Sequence, residues 1–110
     1  MDRRKMIRDC IAKLGIGPQM RGARYLEDAA YAWRPGMMMK ELYPAVAKMH
    51  GATWQQVERC IRGALDVAWA AKRWNSGAVV EVFGIWALSE RPKVGEAIAH
   101  IGKWSGGDLS

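Results

Sequence analysis

The sequence predicts an all-α domain of about six helices built around a helix-turn-helix. Three observations carry that expectation. Each long segment repeats its apolar residues at spacings of three and four, which gathers them on one face of a helix with 3.6 residues per turn. The breaks between segments hold glycine or proline, as at Gly15, Pro18, Pro35, Gly36, Gly51 and Gly84. The stretch from Lys40 to Lys72 reads as a short helix, a tight turn and a long second helix.

Length and charge bound what such a domain does. With 110 residues, half of them hydrophobic, the chain suffices for one core and is too short for two ordinary domains. Residues 1–104 are expected to form that domain, with 105–110 as a disordered tail. There are 17 Lys and Arg against 11 Asp and Glu, a formal charge of +6 with a pI near 9.7, which suits a polyanionic partner. Cys10 and Cys60 have no CxxC or Cys/His cluster near them, so neither a zinc site nor a disulfide framework is indicated. Both fall among apolar helical residues and are expected to be small buried thiols. The basic start MDRRKMIRDC is interrupted by Arg8, Asp9 and Lys13, which excludes a signal-peptide core. No uncharged run approaches the roughly 18 residues needed to span a bilayer. The expectation is a cytoplasmic, nucleoid-associated protein that does not contact membranes.

The elements follow in order. From Arg3 to Leu14, residues Ile7, Cys10, Ile11 and Leu14 repeat as i, i+3, i+4, i+7 and leave Arg4, Lys5 and Arg8 outside. GIGPQMRG, residues 15–22, cannot continue that helix, and its G-x-G has neither the preceding strand nor the third glycine of a dinucleotide fingerprint. A second helix spans Ala23 to Arg34 with Leu26, Ala29, Ala30 and Trp33 inward, until Pro35 and Gly36 end it. Met37, Met38 and Met39 are flexible packing filler. The third helix turns Leu42, Val46 and Met49 inward, and Pro44, which has no N–H, either kinks it or marks its true first turn.

Gly51 stops the third helix, because only glycine enters a left-handed conformation without steric cost. Thr53 starts the fourth as a capping box, its hydroxyl accepting the N–H of Gln56 while that side chain reaches back. Val57, Ile61, Ala64, Leu65, Ala68 and Trp69 form the apolar stripe, with Gln55, Gln56, Glu58, Arg59, Arg62 and Asp66 on the other side. Trp54 is expected to pack beneath the turn. Ser76 caps a short fifth helix that runs to Phe83 and stops at Gly84. In the mixed stretch from Ile85 to Pro92 the WAL run has strand character but no second strand to pair with. A last helix, Pro92 to Trp104, sets Val94, Ile98, Ile101 and Trp104 on one face.

The wording of the central stretch is more specific than its spacing. LYPAVAK in the third helix, VER, IR and ALDVAW in the fourth, and RGARYLEDA upstream resemble the C-terminal effector domain of the sporulation master regulator of endospore-forming bacteria, the stage-zero sporulation protein A family. The resemblance covers roughly residues 5–104. It implies a sequence-specific DNA-binding transcription regulator whose recognition helix, about residues 53–71, lies in the major groove of double-stranded DNA. Residues near the start of such a helix reach deepest, which favours Gln55, Gln56, Arg59 and Arg62. Arg59 and Arg62 align with arginines that the resemblance implicates in base and backbone contact, and Glu58 with a glutamate of the same VER segment. Arginine's planar fork matches the O6 and N7 acceptors of guanine. The i±4 neighbours of Arg59 are Gln55 and Gly63, so no ion pair at those positions occupies it. Lys40 is the expected phosphate contact.

Two departures from the family pattern matter. The family carries an arginine where this chain has Gln56 and a histidine where it has Gly63. Gln56 pairs bidentately with adenine, so the preferred site would drift from the TGTCGAA-like box that the resemblance implies. Gly63 removes a contact and lowers helix propensity by about 1 kcal/mol relative to alanine. These departures favour a different reading, a protein-interaction module of the same fold that pairs with or antagonises a full-length regulator without reading DNA. Arg59, Arg62 and Lys40 favour DNA.

His50 and His100 lie far apart with no Ser, Cys or carboxylate constellation, so no catalytic residue, metal site, cofactor or small-molecule substrate is expected and the protein is read as a non-enzyme. In the family a phosphoacceptor receiver precedes this domain. Without one, the expectation is constitutive binding that is cooperative on paired boxes, as a homodimer or tandem assembly meeting near Val82, Ile85, Trp86 and Leu88.

Overall fold

A computed structural model describes residues 2–107, and among these it has six α-helices, one 3-10 turn and no strand. The helices are α1 (Arg3–Lys13), α2 (Arg21–Ala32), α3 (Met39–His50), α4 (Trp54–Ala71), α5 (Ser76–Phe83) and α6 (Val94–Trp104), with the 3-10 turn at Ile85–Leu88. The all-α expectation holds.

The helix ends follow from local hydrogen bonding. Asp2 caps α1 by accepting the Arg4 N–H at 3.0 Å. Gly51 closes α3 in the left-handed region, at φ 60° and ψ 33°. At the start of α4 the capping box is complete: the Thr53 hydroxyl accepts the Gln56 N–H at 3.2 Å, and Gln56 Oε1 accepts the Thr53 N–H at 2.8 Å. The cap of α5 is Asn75 rather than Ser76, with its side-chain oxygen accepting the Ala78 N–H at 3.0 Å. Asparagine and serine are comparable caps, so neighbouring candidates leave the frame open by one residue. Pro44 does not mark the first turn of α3, which opens at Met39. It sits inside the helix, on an exposed position, and deprives the Lys40 carbonyl of its usual intrahelical donor. The WAL run is the 3-10 turn, fixed from within by the Trp69 indole N–H donating to the Ala87 carbonyl at 2.7 Å.

Helix α2 is the element the others pack around, and two glycines let it come close. A Cβ at Gly22 would overlap the Cys60 carbonyl oxygen and stand 2.7 Å from the Ala64 methyl, so α2 rests directly on the backbone of α4. A Cβ at Gly102 would stand 2.7 Å from the Trp33 ring, which marks the equally tight meeting with α6. Leu26, Leu42, Val46, Ile61, Leu65 and Ile98 fill the fully buried space between these helices. Arg3 closes the far end of α2 by donating to the Tyr31 and Ala30 carbonyls at 2.8 and 3.1 Å, which satisfies oxygens that the last helical turn leaves without donors.

Four expectations are corrected. Met49 shares the stripe of Leu42 and Val46 but is 60% exposed, while Ala47 is buried. Periodicity sets the direction of a side chain, not whether another element lies opposite, and nothing covers the last turn of α3 there. Cys10 is buried as expected, whereas Cys60, at the margin of the α4 stripe, is half-buried. Val82 is buried on the inner face of α5, so of the expected contact residues Val82, Ile85, Trp86 and Leu88 only Ile85 and Trp86 are exposed. The residues from Ser105 to Gly107, expected as tail, are packed: Ser105 is buried, and the Gly107 N–H donates to the Gly102 carbonyl at 2.8 Å. The rest of the expected tail, 108–110, lies outside the described residues.

Candidate nucleic-acid interface

Helix α4 turns one face to the core and the other to solvent. Val57, Ile61, Ala64, Leu65, Ala68 and Trp69 are buried, and Gln55, Gln56, Arg59 and Arg62 are exposed, as the helical period requires. The turn at Gly51 and the capping box fix where this face begins, so the outward side chains stand on a rigid frame rather than a loop.

The outward residues are not equally available. Arg59 makes no ion pair and no side-chain hydrogen bond among the described residues. Arg62 is drawn to half-buried Glu58 one turn earlier, with an N–O distance of 3.4 Å. Gln56 is committed to the cap through Oε1, so the bidentate pairing with adenine expected of it would require the capping box to open. Gln55 is exposed in the first turn and carries no such commitment. A Cβ added at Gly63 would meet nothing within 4 Å, so the outer face has room for a side chain there.

Lys40, exposed in the first turn of α3, borders a shallow groove with Tyr43, Pro44 and Trp54. Trp54 is 49% exposed, which corrects the expectation that it packs beneath the turn. It stands in the first turn of α4, beyond the crossing with α2, and faces the groove. The Tyr43 hydroxyl is pushed above its ordinary pKa, first by burial and then by the negative charge of Glu58, and stays a neutral donor.

A second basic feature was not expected. Helix α2 opens at Arg21, two residues before the expected start, and Arg21 and Arg24 flank a depression beside the α3–α4 turn together with His50 and Gln56. The sequence signal was the arginine-glycine pair at the start of RGARYLEDA, whose glycine alone has a packing role. His50 is held by Asp28 at 2.5 Å and meets the Tyr25 ring edge-on at 4.9 Å. Asp28 also pairs with Arg4.

Among the described residues no three His, Cys, Asp or Glu side chains converge as metal ligands, and no helix is long and apolar enough to cross a membrane. Burial pushes the Cys10 thiol up to about 12, which keeps it protonated and unreactive. His100 lies against the Phe83 ring at 5.8 Å and does not line the depression beside the α3–α4 turn.

Compared with known families, the chain matches the one described as sporulation initiation factor Spo0A C terminal over residues 7–103, nearly its whole length.

Proposed function

We propose that this chain, which belongs to the Spo0A C-terminal family of DNA-binding regulatory domains, reads double-stranded DNA sequence-specifically by laying α4 in the major groove. The family is not one of enzymes. The observation that carries the reading is Arg59: an exposed arginine in the second turn of α4, without a partner among the described residues, offers both arms of its fork to a guanine edge. Gln55 reads the neighbouring base from the first turn. Gln56 supports the frame as a cap, Arg62 with Glu58 meets the groove wall, and Lys40 contacts a phosphate from α3. The protein then acts at chromosomal DNA. Mobility shift at one stated salt concentration, with a TGTCGAA-like duplex and a scrambled one, tests this. Tighter binding to the box supports the reading, and no binding to either duplex supports the interaction module instead.

Assembly belongs to the same proposal. With α4 occupied by DNA, two copies on adjacent boxes would meet through Ile85, 75% exposed, and Trp86, with Leu88 beside them and Val82 kept in the core. Such contact raises the effective concentration of the second reading head without a new base contact. Isotherms on one and two boxes should show cooperative filling of the pair, reduced by Ile85→Asp. Equal affinity per box, with a monomer at all concentrations in sedimentation, would remove the assembly.

A further inference from the structure

We infer that Arg21 and Arg24 grip a backbone phosphate of the duplex that α4 reads, a contact that rests on the reading proposed above and extends the interface from α4 to α2. Six of the ten arginines are engaged by carbonyl or carboxylate oxygens. The other four, Arg21, Arg24, Arg59 and Arg73, have no side-chain hydrogen bond or ion pair among the described residues. Arg59 is exposed on α4, and two of the others stand beside the start of that helix. Arg21 and Arg24 line a depression of 370 Å³ that also takes in His50, Gly51 and Gln56, and Gln56 belongs to the first turn of α4. No carboxylate lines it, and the adjacent Asp28 is already held by His50 and Arg4.

The position of these arginines is fixed by packing. Gly22 stands between them in sequence, and its missing Cβ lets α2 press onto the Cys60 carbonyl of α4. Helix α2 therefore cannot slide along α4 without a clash, and the backbone positions from which the two arginines extend are fixed relative to the start of α4. Two forks of parallel N–H donors on an exposed, acid-free depression fit the oxygens of a phosphate diester, and solvent exposure spares them a desolvation penalty. The sugar-phosphate wall beside the groove occupied by α4 supplies that group.

The test is the salt dependence of binding by wild type and by the Arg21→Gln, Arg24→Gln double variant, on box and scrambled duplexes. Losing phosphate contacts lowers the slope of log K against log salt by about 0.9 for each. Over a fourfold rise in salt, the wild type should therefore lose roughly 3.5-fold more affinity than the double variant, because the two arginines share one phosphate. Both duplexes should weaken by the same factor and keep their ratio. An unchanged slope in a variant that melts like the wild type overturns the inference while leaving the α4 reading intact. A wild type that binds neither duplex overturns both. Neutral methylphosphonates placed one at a time beside the box give a check that leaves the protein unaltered: one or two positions should weaken the wild type and leave the double variant unaffected, and no such position would also overturn the contact.

Discussion

Thr53 shows what a single side chain does here. Its hydroxyl and the Gln56 amide satisfy two backbone donors at the start of α4, where the helix otherwise leaves them to water. Thr53→Ala should lower stability by about 1 kcal/mol in a denaturant titration. It should also release Gln56, so that base preference shifts along with stability. Cys10 gives a pH prediction. Its thiol ionises near 9 in the unfolded chain and near 12 in the fold, so the folded state holds the proton more tightly. That contribution is fully present below pH 9 and is lost as pH rises toward 12. Stability should fall across that window, and the part due to the thiol should vanish in Cys10→Ala, read as the difference between two melting-versus-pH curves.

At the scale of elements, the helices were legible because each has a long apolar stripe and a chemical stop. What remained illegible lay where a stripe outruns its neighbours. Met49 and Trp54 both obey the period, and both stand at helix ends where no element covers them, Trp54 only bordering an open groove with α3, so the same pattern that buries Val46 and Val57 leaves them exposed. The 3-10 turn at Ile85–Leu88 was unreadable for another reason: a long-range hydrogen bond from Trp69 holds it, and no local pattern announces that. Gly63 supplies the test at this scale. It lies mid-helix with open space about it, so alanine gains propensity without a clash. Gly63→Ala should stabilise the protein by about 1 kcal/mol by thermal or chemical denaturation. A loss of stability would mean that α4 needs the glycine for a bend or a close approach.

For the molecule as a whole, the excess of positive charge was visible in composition, but its use was not. Most arginines are spent within the fold, with Arg4 and Arg8 binding the carboxylates of α2 and Arg91 binding Asp66 at 2.7 Å. Only three dimensions separate those from Arg21, Arg24 and Arg59, which are exposed and without partners among the described residues, the first two beside the start of the helix that carries the third. The site residues on α4 were legible because a helix face follows from its period, whereas Arg21 and Arg24 join them only through the crossing of α2 at Gly22. The central claim is that Arg59 reads a base from α4. The most direct measurement is the ratio of affinities for box and scrambled duplexes, for wild type and Arg59→Ala, at the same salt concentration. The expected result is a ratio lowered by about 1 to 3 kcal/mol, localised to one base pair when single substitutions are scanned through the box. Equal losses on both duplexes, with the ratio unchanged, would contradict it and reduce Arg59 to a phosphate contact.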